Sequence, residues 1–159
     1  EQRKESHAND FLTVGSMGHA SSIALELARQ CPKQRFWCLD GDGAALMHLG
    51  AMAAIGISAL PNLIHVVINN RAHESVGGQP TVGNGIDFCA VARGCGYPRV
   101  YRASCEDDLM KKLKDIYSRQ EIAFLEVMTA IGARGNLGRP TISADENKAA
   151  FMQNLQKMW

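Results

Sequence analysis

Two short polar clusters carry the residue types from which a site can be built, Asp40-Gly41-Asp42-Gly43 and Asn69-Asn70. The first follows an apolar run at residues 35–39 and precedes an Ala/Leu-rich segment. Its glycines let the backbone turn sharply and bring N–H groups close to an anion at a helix N-terminus. An aspartate there repels a bare phosphate, but a divalent cation bridging carboxylate and phosphate reverses the sign of the contact, which is how Mg²⁺ is usually held. Asn69-Asn70 ends the next apolar run, residues 63–68. If the two runs are neighbouring parallel strands, their carboxyl ends lie side by side. The amide oxygen of Asn70 and the main-chain carbonyl two residues on, at Ala72, then join the carboxylate of Asp42. Such oxygen donors suit a hard cation better than zinc. A plain Gly/Asp turn between strand and helix accounts for the first cluster taken alone.

The elements that must position these clusters follow from periodicity. Residues 11–14 (FLTV) read as a short strand ending at Gly15, and residues 21–30 as an Ala/Leu-rich helix stopped by Pro32. A strand at 35–39, a helix at 45–59 and a β-branched strand at 63–68 come next. After a Gly-rich stretch, 71–85, Asp87 caps a helix to about residue 93, and 99–101 make a short strand. Residues 106–118 form an amphipathic helix with Leu109, Leu113, Ile116 and Tyr117 on one face, and 123–128 (AFLEVM) form the last strand. The tail holds a Gly/Arg-rich loop, 132–140, and a helix at 144–157 begun by Ser143. Continuous apolar strands alternating with helices predict a parallel sheet covered on both faces, a three-layer, doubly wound α/β fold. In such sheets ligands bind beyond the carboxyl ends of the strands, here the loops at 15–22, 40–45 and 69–85.

Composition narrows the function classes. With 159 residues and 46% hydrophobic content the chain can bury one sizeable core. Its formal net charge of +1 and lack of a basic block speak against a nucleic-acid partner. Residues 44–70 contain no Asp, Glu, Lys or Arg, but Gly50, Gly56 and Pro61-Asn62 divide them into a buried helix and a buried strand rather than a membrane span. Five cysteines with no CxxC pair give neither a disulfide framework nor a zinc site, which favours the cytoplasm. No Gly-x-Gly-x-x-Gly run follows the first strand, against a dinucleotide-binding domain. The polar opening, residues 1–9, lacks an initiator Met and reads as a linker inside a longer protein, leaving 10–159 as the folded domain.

Gly-Asp-Gly, 25 intervening residues (44–68) and Asn-Asn together resemble the pyrophosphate-binding domain of the thiamine diphosphate enzymes over nearly the whole chain. The resemblance implies thiamine diphosphate and Mg²⁺ as cofactors, with Asp42, Asn70 and the carbonyl of Ala72 as metal ligands. It further implies that the turn at Gly41 and the backbone of Gly43, Ala44 and Ala45 face the diphosphate. Upstream, Gly15-Ser16-Met17-Gly18 resembles the stretch in which a Gly carbonyl accepts from the aminopyrimidine and a bulky apolar side chain props the bent cofactor, roles that fall to Gly15 and Met17. Within this superfamily, residues 72–81 (AHESVGGQPT) and Leu137-Gly138-Arg139-Pro140 are most similar to phosphonopyruvate decarboxylases. Sulfopyruvate decarboxylases share a loop ending in Gln-Pro-Thr. One departure is Arg71, where the family usually has Gly; a positive φ there would strain an arginine.

By this resemblance, the bound cofactor accepts the electron pair released when CO₂ leaves a 2-oxo acid, 3-phosphonopyruvate, to give phosphonoacetaldehyde. His73 and Glu74 lie at a strand end where they can contact cofactor or substrate, and His73 can move a proton. Arg134 and Arg139 are candidates for the phosphonate, which bidentate arginine matches in geometry. The glutamate that activates the aminopyrimidine comes, in this family, from a pyrimidine-binding domain that is not found in this chain; Glu26, Glu74 and Glu126 fall on the wrong side of the cofactor. The isolated chain is therefore expected to be inactive, to expose an apolar face, and to associate with a pyrimidine-binding domain or subunit, as part of a homo-oligomer. His48 and His65 read as core or interhelix histidines, Cys89 and Cys95 as small buried hydrophobes. A decarboxylase of sulfopyruvate or another 2-oxo acid, or a non-catalytic cofactor-binding module, are the alternatives.

Overall fold

Why a parallel sheet forms is visible in the second of its strands, which is apolar at nearly every position and therefore needs cover on both faces. The computed structural model of the chain describes residues 7–138 and 140–157. It divides into two compact units, Met17–Ile131 and the pair of segments Glu1–Ser16 and Gly132–Trp159.

The larger unit runs α1 (Ala20–Gln30), β1 (Phe36–Gly41), α2 (Asp42–Met47), α3 (Gly50–Ser58), β2 (Leu63–Asn69), β3 (Ala72–His73), β4 (Gln79–Pro80), α4 (Phe88–Gly94), β5 (Arg99–Ala103), α5 (Glu106–Tyr117) and β6 (Ala123–Met128). Four strands make a parallel sheet in the order β1-β2-β6-β5, and β3 pairs with β4 in a small antiparallel hairpin. Strand side chains alternate between the faces. Cys38, Leu63, Val67 and Phe124 meet α1, α3 and α4 on one side through Ala24, Ala28, Met52, Ile55, Phe88 and Ala92. Ile64, Val66, Ala103, Ala123 and Leu125 meet Leu109, Leu113 and Ile116 of α5 on the other. The doubly wound α/β architecture expected from the sequence is the one found.

Local chemistry fixes the ends of these elements. Asn62, in the turn before β2, donates its side-chain amide to the carbonyls of Ala28, Cys31 and Gln34 at 2.9, 3.1 and 2.8 Å, closing the C-terminus of α1. Asp87 caps α4 by accepting from the N–H groups of Cys89 and Ala90. Three acidic residues, Glu106, Asp107 and Asp108, open α5, where they complement the helix dipole.

Three expectations for the larger unit need correction. The single helix at 45–59 is two helices, because His48 leaves the helical region at φ −132°, ψ 48°, and the helix begins earlier, at Asp42. His48 is exposed and stacks on His19, the N-cap of α1, with ring centroids 4.0 Å apart, so of the two expected placements it takes the interhelix one and not the core. Tyr117 is also exposed, its ring lying under the Arg35 guanidinium.

In the smaller unit, residues 11–14 form no strand. The side chain of Asn147, buried in α6 (Ala144–Gln156), takes up the hydrogen bonds that a sheet would have used. Its Oδ1 accepts from Leu12 N–H at 2.9 Å and its Nδ2 donates to Asp10 O at 2.8 Å, while the Phe11 and Phe151 rings pack 5.5 Å apart. Ser143 starts α6 with a capping box completed by Glu146. Among the described residues no helix is long and apolar enough to cross a membrane.

Candidate functional site

The register of β1 and β2 decides where the two polar clusters come to lie. Gly41 is paired with Ile68, so the chain leaves β1 at Asp42 and β2 at Asn70 on the same edge of the sheet. Between them opens a cavity of about 350 Å³, lined by Met17, Leu39, Asp40, Gly41, Asp42, Gly43, Ala44, Ile68, Asn70, Ala72, His73, Glu74 and Ser75.

Nine residues picked out from the sequence therefore line one cavity: Met17, Gly41, Asp42, Gly43, Ala44, Asn70, Ala72, His73 and Glu74. Ala45 is buried in the core beneath them. Gly15, with φ +79°, and Ser16 belong to the smaller unit, as does Arg134, which is exposed. Arg139 lies outside the described residues.

Asp42 is the first residue of α2 and is 1% exposed. Its Oδ2 accepts a short hydrogen bond from the Thr81 hydroxyl, which in turn accepts from Gly83 N–H at 3.1 Å. Asn70 accepts from Ala72 N–H at 3.1 Å and donates to Glu74 at 2.7 Å, bending the loop after β2 back over the cavity. His73 lies so close to Gly43 that a β-carbon there would come within 2.5 Å of its Nδ1, so only glycine admits the imidazole at this helix start. No side chain caps α2, leaving its first N–H groups without the intrahelical partners that later ones have.

This donor set fits a metal-bound diphosphate. The lining holds the carboxylates of Asp42 and Glu74 and no Lys or Arg, while the carboxylate of Asp40 turns beneath it to His65. A diphosphate entering alone would meet net negative charge, whereas a hard divalent cation held by the oxygens of Asp42, Asn70 and Ala72 would satisfy both. The uncapped N–H groups of α2 would supply the remaining positive end to a bound diphosphate.

Sequence reasoning passed over the residues beneath this edge. Asp40 Oδ2 accepts from His65 Nε2 at 3.1 Å and lies 3.7 Å from Cys38 Sγ, and His65 Nδ1 is 3.1 Å from the Tyr97 hydroxyl, all of them buried. His65 is thus the core histidine expected. Burial, with Asp40 beside it, pushes the Cys38 thiol far above its usual range. Glu126, 1% exposed on β6, binds Asn69 and Arg102. A lone Asp or Glu within an apolar strand was the available signal; its partners come from other strands and leave no mark in local sequence. Arg71 has φ +65°, the left-handed conformation that the departure from Gly brought into question.

Comparison with known proteins agrees with this geometry. Residues 2–127 match the family described as thiamine pyrophosphate enzyme, C-terminal TPP binding domain. The phosphonopyruvate decarboxylase of Streptomyces hygroscopicus is 34% identical over 149 residues, 94% of this chain and 37% of that protein. That of Streptomyces viridochromogenes is 36% identical over 141 residues, 89% and 35% of the two. The sulfopyruvate decarboxylase subunit beta of Methanocaldococcus jannaschii is 40% identical over 99 residues, 62% of this chain and 52% of that subunit. The chain spans only 37% and 35% of the lengths of the two Streptomyces relatives. The solved thiamine diphosphate-dependent 4-hydroxybenzoylformate decarboxylase of Rhodococcus jostii RHA1 shares the fold, with a TM-score of 0.60 at 20% identity over 73% of this chain and 24% of that one. With the match covering most of its length, and Gly41-Asp42-Gly43 and Asn70 brought to one cavity, this chain belongs to the thiamine pyrophosphate enzymes as a C-terminal TPP-binding domain.

Proposed function

We propose that this chain is the pyrophosphate-binding half of a Mg²⁺-dependent thiamine diphosphate decarboxylase acting on 3-phosphonopyruvate. The observation that carries the cofactor reading is the convergence of Asp42, Asn70 and Ala72 on one acidic cavity beside the uncapped start of α2. Similarity to phosphonopyruvate decarboxylases over 94% and 89% of this chain supports the substrate reading.

In this reading Asp42, Asn70 and the Ala72 carbonyl hold Mg²⁺, and the N–H groups of Gly43 and Ala44 hold the diphosphate. Thiamine diphosphate, when bound, supplies the electron sink for decarboxylation. Met17, 38% exposed at the cavity wall, gives the cofactor an apolar support. Glu74 keeps Asn70 turned toward the loop, and His73, packed on Gly43, is placed to hold or pass a proton at its ring nitrogens. Residues 10–159 act as one pyrophosphate-binding domain, with Gly15 and Ser16 completing the cofactor site and Arg134 and Arg139 taking the phosphonate. A pyrimidine-binding domain or subunit supplies the activating glutamate, within a homo-oligomer, in the cytoplasm. Leu39 and Ile68, exposed at the cavity rim, suit such a partner.

Sulfopyruvate is the second reading, favoured by 40% identity to a sulfopyruvate decarboxylase beta subunit across 62% of the chain. Calorimetric titration of thiamine diphosphate with Mg²⁺ into the chain joined to its pyrimidine-binding partner, beside Asp42→Ala, tests the cofactor site. Binding lost in Asp42→Ala, with phosphonopyruvate turned over well above sulfopyruvate, is the expected result. Sulfopyruvate preference would replace the substrate, and absence of Mg²⁺-dependent binding would overturn the enzyme reading and leave a binding module.

A further inference from the structure

Glu126 is a buried carboxylate that the proposed chemistry does not use. It sits on β6, next to β2, and both of its oxygens are engaged. Oε1 accepts from Asn69 Nδ2 at 2.8 Å; Oε2 accepts from Arg102 Nε at 2.6 Å and lies 3.6 Å from Cys89 Sγ. Asp87, Cys89 and Glu126 have ligand atoms within 4.8 Å of one another, but the Arg102 guanidinium bonds both carboxylates and already fills the place of a cation.

What Glu126 controls is the direction of one amide. Asn69 is 1% exposed, and its two ends serve different partners. Oδ1 accepts from Arg71 N–H at 3.1 Å, while Nδ2 donates to Glu126 and, more weakly, to Gly83 O at 3.3 Å. A flipped amide would set its oxygen against the carboxylate and its NH₂ against a backbone donor, so the carboxylate admits one orientation only. That orientation ties the start of the loop after β2, at Arg71, to its return at Gly83. Between these points Thr81 N–H donates to Arg71 O at 2.9 Å, and the Thr81 hydroxyl reaches Asp42.

We propose that Glu126 is a positioning residue that, through the amide of Asn69, fixes loop 70–83 and with it the relative placement of Asp42, Asn70 and Ala72. The consequence for metal binding rests on the Mg²⁺ reading above; the consequence for the loop does not. Two substitutions separate the contact from mere packing. Glu126→Gln and Glu126→Met both remove the charge that faces Arg102, and both keep the side chain's length. Glutamine retains one acceptor, and that acceptor goes to Asn69, which is buried, rather than to Arg102, which is half-exposed and can turn to water. Methionine retains none.

Amide hydrogen exchange in the cofactor-free protein is the first readout. Glu126→Met is expected to speed exchange across residues 70–83 at least about tenfold while 63–68 stay within about threefold of wild type, and Glu126→Gln to stay within about threefold throughout. Affinity for thiamine diphosphate with Mg²⁺, in the assembly with the pyrimidine-binding partner, is expected to fall about tenfold in Met and little in Gln, the size of effect that outer partners have on metal sites. Equal exchange in the two variants overturns the proposal. Altered exchange with unaltered affinity keeps the role of Glu126 in the loop and overturns its link to the metal. Should Glu126→Met fail to fold, Asn69→Ala takes its place: faster exchange confined to 70–83 supports the proposal, and unchanged exchange overturns it.

Discussion

Gly83→Ala offers a test of how tightly the loop closes on Asp42. A β-carbon on Gly83 would lie 2.7 Å from Asp42 Oδ2, 3.0 Å from Thr81 Oγ1 and 3.1 Å from Asn69 Oδ1. Ordinary contact begins near 3.4 Å, so the carboxylate must retreat by about 3.4 − 2.7 = 0.7 Å. All three atoms are buried and hydrogen-bonded, so no flexible side-chain end can swing aside, and the Thr81–Asp42 bond is the one that gives way. Overpacking costs about 1–3 kcal/mol, and losing a hydrogen bond to a charged group about 1.5–3 kcal/mol. Alanine recovers about 0.4–1 kcal/mol through the unfolded chain. A net loss of about 3 kcal/mol, or roughly 6–12 °C in melting temperature for a chain of this size, is expected. Gly85→Ala is the internal control: its β-carbon would meet only Val82 O, at 3.6 Å, and its φ is −101°, so it should be neutral or stabilise by about 0.5 kcal/mol. Urea unfolding of both variants reads the difference directly. Equal midpoints for the two would refute the claim that Asp42, Thr81 and Asn69 are locked around Gly83.

Three further outcomes are expected. Arg71→Gly relieves a left-handed arginine, whose cost of about 1–2 kcal/mol is partly offset by glycine's freedom in the unfolded chain; a rise in the urea midpoint worth up to about 1 kcal/mol is expected, and a fall would show that the guanidinium stabilises the loop. Cys105, exposed, should react with an aromatic disulfide at pH 8, while Cys89, pushed up to about 11 chiefly by burial, and Cys38, pushed higher, stay protonated and unlabelled until the chain unfolds. Asp87, Asp108, Asp115 and Glu146 are held below their ordinary values, by the Ala90 N–H, Lys112, the Tyr101 hydroxyl and the Ser143 N–H respectively. Groups depressed in the folded state add stability above their unfolded values of 3.8 to 4.5 and lose it as the pH falls through the folded ones, so the urea midpoint should be level above about pH 5 and decline below about pH 4; a rise on acidification would contradict these pairings.

What the sequence made legible was local. β2 and β6 matched apolar runs almost residue for residue, and the caps at Asp87 and Ser143 were readable because a capping side chain acts on amides two or three residues away. The convergence of Asp42 and Asn70 was inferred because parallel strands share their carboxyl ends. Residues 11–14 misled because a β-like run can spend its backbone hydrogen bonds on one buried side chain, here Asn147, 135 positions from Leu12. The break at His48 was hidden for a similar reason: its ring meets His19, the residue that precedes α1. Glu126, Asn69 and Thr81, which shape the site from beneath, act across the sheet, and no spacing along the chain announces such partners.

The alignment of β1 against β2 has a consequence for what may vary in this domain. Phe36 faces Leu63 and Gly41 faces Ile68, so the ladder alone fixes how far Asp42 stands from Asn70. Beyond Gly43 and Ala44, which line the cavity, and Ala45, Met52 and Ile55, which pack in the core, the stretch up to Leu63 is a return path that has no part in setting this distance. Lengthening α3 by a full turn, or replacing the two short helices by one, would change the count that makes the motif recognisable and leave both oxygen donors where they are. A slip of a single residue in the ladder would keep the count and turn every inward side chain of β1 outward. Natural variation should therefore tolerate insertions in the return path more readily than any change in how the two strands are matched.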